Sequence, residues 1–229
     1  RALSMEHLLF GMRPNLSMMT SLHFLGAIAR ELELYAESKF YSESLVKHFE
    51  SFGGVKSKLL LKETYLRLLP LSCTIGETLR YAENGLKVTT GGKSEIELAL
   101  NCFLYCFLAM HLQSPERAWK AVLNAQACRK DCTDTKTRQG TIFAVVKSLC
   151  AIRKTKEGIK LLIEELQTLT LKSQVQEKVV CLKALGKLCL VQGLALQAKK
   201  YYSQAIDIQE KKNGNVFHDL ECRIGILKA

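Results

Sequence analysis

Prolines, aromatic residues and catalytic motifs are all scarce in this chain. Of its 229 residues only three are proline and 7% are aromatic, and runs that alternate Val, Ile and Thr are few. That scarcity argues against a β-sandwich or barrel and favours helices. The sequence has no phosphate-binding glycine loop, no HExxH zinc motif and no GxSxG nucleophile motif. We therefore predict that the protein is not an enzyme and uses no cofactor.

The nine cysteines are an odd number and include no CxxC pair. This pattern is typical of reduced thiols that serve as small buried hydrophobes in a cytoplasmic protein, with the nucleus as the alternative compartment. Two spacings of four residues, Cys102/Cys106 and Cys128/Cys132, could each place two sulfurs on one helix face. A zinc site needs about four ligands, and no second Cys/His pair is in register with either, so we predict no metal.

No segment is apolar over enough residues to predict a membrane span. The most hydrophobic stretch, 98–112, has about fifteen residues and includes Asn101 and His111, whereas a spanning helix needs about twenty. We interpret it as the most buried helix of the fold. The N-terminal apolar stretch ends at Arg13-Pro14 without a small-residue cleavage site, so no signal peptide is expected. The missing initiator Met indicates a piece of a longer chain.

Positive charge is concentrated in the second half of the chain. The formal net charge is +11; residues 1–115 carry 12 Lys+Arg against 11 Asp+Glu, and residues 116–229 carry 21 against 11. A field of that sign favours anionic partners, which include acidic peptides, nucleic acid and anionic lipid.

A small side chain recurs every forty residues, at Ser38, Thr78, Ala118, Gly158 and Ala198. A period in that range, within helix-forming sequence, is typical of stacked helical hairpins in which each hairpin buries its apolar face against its neighbours. We therefore predict a single all-α solenoid domain. The predicted domain covers 1–229, with hairpins over about 15–53, 54–92, 93–133, 134–173 and 174–213.

Capping residues predict where several helices begin. Thr74 with Glu77 fits a capping box, Ser114 precedes a proline at the first helical position, and Thr155 precedes Glu157. These three signals mark the second helices of hairpins two, three and four. Extra helices are predicted at the two ends of the array. They cover 1–12 and 216–228.

The last hairpin carries the pattern large residue, Leu-Gly, large residue, Gly, Ala, aromatic, Ala. The residues are Leu182, Leu185, Gly186, Cys189, Gly193, Ala198, Tyr202 and Ala205. Position for position this pattern resembles the tetratricopeptide repeat (TPR), with Leu182 where Trp is commonest and Cys189 where Tyr is. The resemblance implies a right-handed α-solenoid of about five TPR-like hairpins. Its forty-residue period is similar to the longer arrays of some cytoskeletal-motor and polarity adaptors.

The same resemblance assigns packing roles to small residues. Gly186 and Ala198 would let the two helices of a hairpin cross closely while larger residues fill the space around them. Lys62 and Glu165 occupy positions that are usually apolar, and the resemblance is weakest in their hairpins. The predicted packing residues are Gly26, Ser38, Thr78, Ala118, Gly158, Gly186, Ala198 and Tyr202.

In TPR arrays the first helices of successive hairpins line a concave groove. Transferred by register, that geometry predicts a groove with an aromatic centre and a basic C-terminal half. The candidate groove residues are His23, Ala27, Arg30, Glu63, Arg67, Phe103, Phe107, His111, Phe143, Lys147, Lys183 and Lys187.

Such a groove suits a protein segment that carries acidic residues beside an apolar anchor. The predicted function is therefore a non-catalytic scaffold for protein–protein interaction. Two alternatives stay open at this point. Phe103, Phe107 and Phe143 could fill the core between hairpins instead of contacting a ligand. The basic half could also hold RNA or another phosphate-bearing partner.

Overall fold

The computed structural model describes residues 16–49, 54–88, 94–169, 175–213 and 220–228. Within these ranges the chain forms eleven α-helices and one short 3-10 helix, Leu69–Leu71, and no strand. In chain order the α-helices are α1 (Leu16–Glu31), α2 (Tyr35–Phe49), α3 (Val55–Leu68), α4 (Ile75–Lys87), α5 (Glu95–His111), α6 (Pro115–Asp131), α7 (Thr135–Ala151), α8 (Thr155–Thr168), α9 (Val175–Val191), α10 (Ala195–Asn213) and α11 (Leu220–Lys228).

Successive helices pack in pairs, as α1/α2, α3/α4, α5/α6, α7/α8 and α9/α10, and α11 packs against α10 and α9. The pairs fall into two compact units. Unit 1 is Arg1–Cys132 and unit 2 is Thr133–Ala229. The single domain over 1–229 stays a prediction. The predicted helix over 1–12 lies outside the described residues.

No helix in the described part of the chain is long and apolar enough to cross a membrane. The most hydrophobic stretch forms most of α5. All residues of α5 from Glu97 to His111 are buried or half-buried. Neighbouring helices therefore cover this apolar stretch on most of its circumference.

The small residues of the forty-residue period are buried where two helices meet. Ser38 and Ala198 have no exposed surface, Ala118 is 1% exposed and Thr78 is 5% exposed. In the first hairpin, the Ser38 hydroxyl on α2 donates a hydrogen bond of 2.8 Å to the carbonyl oxygen of Gly26 on α1. This bond holds the two backbones close together.

The turns within hairpins one, four and five share one backbone conformation. Glu33, Arg153 and Gly193 have φ of 59°, 61° and 70°, and they lie at equivalent positions of the forty-residue period. After each of them, an N–H donates to a carbonyl five residues back, as in Leu34 to Ala29 at 2.8 Å. This is the Schellman arrangement that ends a helix with a left-handed residue. Only Gly193 adopts it without a steric penalty from Cβ.

We expect Glu33→Gly to raise the free energy of unfolding by about 0.5–1 kcal/mol, because glycine removes the cost of a left-handed residue that bears a Cβ. The measurement is urea denaturation followed by circular dichroism. Glu33→Ala is the matched control, since it removes the carboxylate and keeps the Cβ. An equal gain from Glu33→Ala would assign the effect to charge and contradict the backbone explanation.

Side-chain caps begin the second helices of hairpins two and three, as predicted. The Thr74 hydroxyl accepts from the Glu77 N–H at 3.1 Å, and the Ser114 hydroxyl accepts from the Arg117 N–H at 3.3 Å. The carboxylate of Glu77 accepts from the Cys73 N–H at 2.9 Å. That bond, together with Lys39, lowers the pKa of Glu77. The helix predicted from Thr155 also begins there, although no side chain caps it.

Lys62 and Glu165 are buried as ion pairs, which explains two charged residues at usually apolar positions. The Lys62 ammonium is 3.0 Å from a carboxylate oxygen of Glu97 and 2.8 Å from the amide oxygen of Asn101. Lys62 is 1% exposed and Glu97 is 6% exposed. This cluster joins α3 to α5, the first helices of hairpins two and three. In unit 2, Glu165 lies 3.6 Å from the Arg138 guanidinium, which joins α8 to α7.

Tyr202 fills the close crossing predicted at Gly186. The tyrosine is 2% exposed, and a Cβ placed on Gly186 would lie 2.7 Å from its ring. A Cβ placed on Gly225 of α11 would also meet this ring. The tyrosine therefore takes up the space that two glycines leave on α9 and α11.

Candidate peptide-binding groove

Four of the predicted groove residues line one cavity in unit 2. Phe143 and Lys147 lie on α7, and Lys183 and Lys187 lie on α9. The cavity has a volume of about 590 Å³. Five further residues complete its walls: Val146, Cys150, Val180, Ala184 and Leu188.

The lining residues recur at intervals of three and four on each helix, so they share one helix face. On α7 this face carries Phe143 and Cys150 at its two ends. The adjoining face of α7 is core, with Ile142, Val145 and Leu149 fully buried. The core packing of both helices therefore sets the direction in which the cavity face points.

The cavity combines an apolar floor with a basic rim. Val146 and Phe143 pack with the buried cluster that contains Ile142, Leu162 and Leu185. Lys147 and Lys187 are exposed, and Lys183 is half-buried. Since the Phe143 ring is only half-buried, it both packs on the core and faces the cavity. Core packing and ligand contact were both open for this phenylalanine from the sequence. The structure shows that the ring packs on the core cluster and also lines the cavity, and contact with a ligand stays a prediction.

The thiol of Cys150 lines the cavity but is a poor nucleophile. Burial raises the pKa of Cys150, and a hydrogen bond with Thr155 opposes that shift. Because the thiolate is the reactive form, the cysteine is mostly unreactive near neutral pH.

In unit 1 the predicted groove residue Arg67 lies inside the fold. It is 7% exposed, and its guanidinium donates to the carbonyl oxygen of His23 at 2.8 Å and lies 3.9 Å from Glu63. His23 is also 7% exposed, and burial together with the charge of Arg67 lowers its pKa. These two residues join α1 to α3 and do not present an open basic surface. Sequence register placed them on the correct helices but could not show that they bond to each other.

The remaining predicted groove residues of unit 1 are spread over α1 and α5. Arg30 is exposed, whereas Phe103, Phe107 and His111 are half-buried. Phe107 packs against the core cluster that contains Tyr65, Leu68 and Leu104. Its packing fits the core alternative more closely than the ligand-contact one.

Val180, Ala184 and Leu188 were not among the predicted groove residues, although they line the cavity. The signal that could have found them is the spacing itself. Val180 and Ala184 each lie three residues before a predicted lysine on α9, and Leu188 lies four residues after Ala184, so the same helix face includes them. The prediction favoured charged and aromatic residues and passed over these small and aliphatic ones.

The cysteines are mostly core residues, as predicted. Cys102, Cys106, Cys132, Cys181, Cys189 and Cys222 are buried, and Cys73 is exposed. Burial raises the pKa of Cys128 and of Cys132 to about 11. Among the described residues, no three His, Cys, Asp or Glu side chains are grouped so that they could hold a metal ion.

A second cavity, of about 420 Å³, lies between α2, α3 and α4 in unit 1. Its polar groups largely engage one another. The Tyr81 hydroxyl donates to Glu43 at 2.5 Å, and Arg80 lies 5.1 Å from the centre of the Tyr81 ring. Burial and the bond to Glu43 raise the pKa of Tyr81 to about 12. This cavity lacks the uniform charge found at the rim of the cavity in unit 2.

Comparison with known proteins gives the fold and little else. No protein-family model and no curated protein matches the chain. Similar solved structures include the TPR-like repeats of a putative kinesin light chain from Podospora anserina and a variant of the same repeats in which one glutamine is replaced by methionine. Both are 16% identical and cover 86% of this chain and 97% of their own, with TM-scores of 0.67 and 0.68. The chain therefore has the predicted all-α fold of TPR-like helical hairpins.

Proposed function

We propose that this protein is a non-catalytic scaffold that captures an acidic and apolar segment of a partner protein between α7 and α9. The observation that carries the proposal is the cavity in unit 2. This cavity has a volume of about 590 Å³, and Lys147, Lys183 and Lys187 surround its apolar floor. TPR-like folds typically present surfaces for protein partners, and the similar kinesin light chain repeats belong to this kind of fold.

The cavity fits a short anchor flanked by carboxylates. An apolar side chain of the partner would rest on Phe143, Val146 and Leu188, where apolar contact area is removed from water. Lys147 stands on one wall, and Lys183 and Lys187 lie one helical turn apart on the other. Acidic residues on both sides of the anchor would thus meet a lysine. Burying the anchor would supply most of the affinity, and the lysines would supply selectivity and faster association.

The direct test is the double charge reversal Lys183→Glu with Lys187→Glu. We expect it to weaken capture of a partner segment by about 10- to 100-fold, because two attractive contacts become repulsive. Partners would first be recovered from cell extract by pull-down and identified by mass spectrometry. The dissociation constant of a synthetic segment would then be measured by fluorescence anisotropy.

Lys156→Glu with Lys160→Glu is the matched control. It changes the same charge at the same spacing on α8, outside the cavity lining. Circular dichroism and thermal melting should be the same for both variants. If both variants lost the same amount of binding, the loss would be explained by the change in net charge. That result would contradict binding of the segment in the groove between α7 and α9. Strong binding of single-stranded RNA that falls steeply with salt would favour the phosphate-binding alternative instead.

A further inference from the structure

Large apolar side chains are exposed together at one edge of unit 2. At the turn from α9 to α10, Val191 is 73% exposed, Leu194 is 41% exposed and Leu196 is 86% exposed. Near the end of α11, Leu227 is 86% exposed. Single exposed leucines are ordinary on a protein surface. Several of them at one edge are more often a contact surface.

The direction of α11 brings Leu227 toward this turn. Arg223, near the start of α11, lies 3.9 Å from Glu210 near the end of α10. Gly225 then meets the ring of Tyr202, which lies nearer the start of α10. The helix therefore runs back along α10, and its last residues approach the beginning of α10, where Leu196 lies.

Basic side chains surround the same edge. Lys154 and Lys156 stand at the start of α8, and Lys199 and Lys200 stand in the first turns of α10; all four are exposed. The start of α8 lies beside the end of α9, because a Cβ on Gly158 would be in ordinary contact, at 3.6 Å, with Leu188. These four lysines, together with Val191, Leu194, Leu196 and Leu227, form the turn edge of unit 2.

The position of these lysines is not explained by helix stability. The N-terminal end of a helix carries a partial positive charge and is stabilised by acidic side chains. The first turn of α10 has no acidic residue, and in α8 Glu157 lies 3.8 Å from Lys154. Lys199 and Lys200 stand in the second turn of α10, beyond the reach of this helix-end effect. They lie three and four residues after Leu196, so they share its helix face.

We propose that the turn edge of unit 2 binds the surface of anionic lipid bilayers. The exposed leucines would enter the headgroup region, and the lysines would pair with lipid phosphates and carboxylates. Apolar tips within a basic border are the combination that interfacial membrane binding uses. RNA would account for the lysines but would leave Leu196 and Leu227 unexplained. The turn edge shares no residue with the groove between α7 and α9, so this proposal stands apart from the peptide-binding function.

The experiment is vesicle co-sedimentation of the whole chain with phosphatidylcholine vesicles that contain about 30% phosphatidylserine. We expect binding that exceeds binding to pure phosphatidylcholine and weakens as salt increases. Lys199→Gln with Lys200→Gln should lower the partition coefficient about 25-fold, because each lysine near the surface contributes about fivefold to vesicle binding. Leu196→Gln with Leu227→Gln should lower it about tenfold, through lost apolar insertion.

The control pair is Lys87→Gln with Lys178→Gln, which removes the same charge from two helix ends that are not part of the turn edge, one in each unit. Lys178 lies at the start of α9, whereas the turn follows its other end. This pair should change vesicle binding less than about threefold, since neither lysine belongs to the turn edge. Equal binding to both vesicle types would overturn the proposal. An unchanged partition coefficient for the variant that combines Leu196→Gln with Leu227→Gln would also overturn it. If that variant also binds single-stranded RNA as well as the unmodified chain does, the lysines would be assigned to nucleic-acid binding instead.

Discussion

Replacing Lys62 with Met is expected to lower the free energy of unfolding by about 3–5 kcal/mol, because it removes the ammonium group that pairs with the buried Glu97 carboxylate. Lys62 is 1% exposed and its ammonium lies 3.0 Å from Glu97. The variant also removes the donor that Asn101 uses at 2.8 Å. Methionine matches the length of the lysine stem, so packing changes little and the electrostatic effect dominates. Urea denaturation followed by circular dichroism measures it.

The double variant Lys62→Met with Glu97→Leu separates charge from packing. Replacing both members of a buried ion pair by apolar residues is often neutral. We therefore expect the second substitution to recover most of the lost stability. A cost below about 1 kcal/mol for the single variant would match a solvated surface pair and would contradict the buried cluster between α3 and α5.

Gly186→Ala should have the second-largest effect, a loss of about 1–3 kcal/mol from overpacking. The new Cβ would lie 2.7 Å from the ring of Tyr202, which is 2% exposed and cannot move into solvent. Gly158→Ala is the matched control at the small position of hairpin four. The nearest atoms there are 3.6 Å away, so alanine fits and should add about 0.5–1 kcal/mol through helix propensity. Thermal and urea unfolding of both variants give the comparison.

A double-mutant cycle with Tyr202→Leu locates the clash. If the alanine is destabilising because it meets the ring, the double variant will cost less than the sum of the two single variants. Additive costs would place the strain elsewhere in α9. If alanine at Gly186 and alanine at Gly158 changed the free energy of unfolding equally, the proposed difference between the close helix contact at Gly186 and the ordinary contact at Gly158 would be wrong.

The forty-residue register predicted the helix pairs and the cavity face because both follow from periodic packing. Leu185 and Ala198 are core positions, and once they are fixed the neighbouring lysines of α9 must point elsewhere. The register therefore identified Lys183 and Lys187 as lying on one helix face. Their meeting with Phe143 and Lys147 around one cavity followed from the same rule applied to α7.

Pairwise chemistry across hairpins could not be predicted in the same way. From the sequence alone, a lysine at a usually apolar position, such as Lys62, is simply a residue that matches the repeat poorly. Its partner Glu97 is there an ordinary acidic residue in the first turn of a helix. The register assigned Arg67 to the groove, and its bond to His23 depends on side-chain directions that a register does not contain.

The left-handed backbone conformation of a turn could not be predicted from the sequence where the turn lacks glycine. Gly193 marks the left-handed turn of hairpin five, whereas Glu33 and Arg153 adopt the same conformation with a side chain that rarely does so. The repeat is thus more regular in its backbone than in its sequence. This regularity explains why hairpin four has the same turn although its match to the TPR pattern is weak.

The most direct measurement of the proposed function is selection of a random-peptide library on the intact chain, followed by alkylation in the presence of the selected peptides. The alkylation is carried out at alkaline pH, where more of the Cys150 thiol ionises, and mass spectrometry distinguishes Cys150 from the exposed Cys73. Peptides that carry Asp or Glu on both sides of a large apolar residue should be enriched. They should lose binding to the variant that combines Lys183→Glu with Lys187→Glu, and they should slow the alkylation of Cys150, which lines the cavity. Selected peptides without an acidic bias, or a Cys150 that reacts equally fast with and without peptide, would contradict capture between α7 and α9.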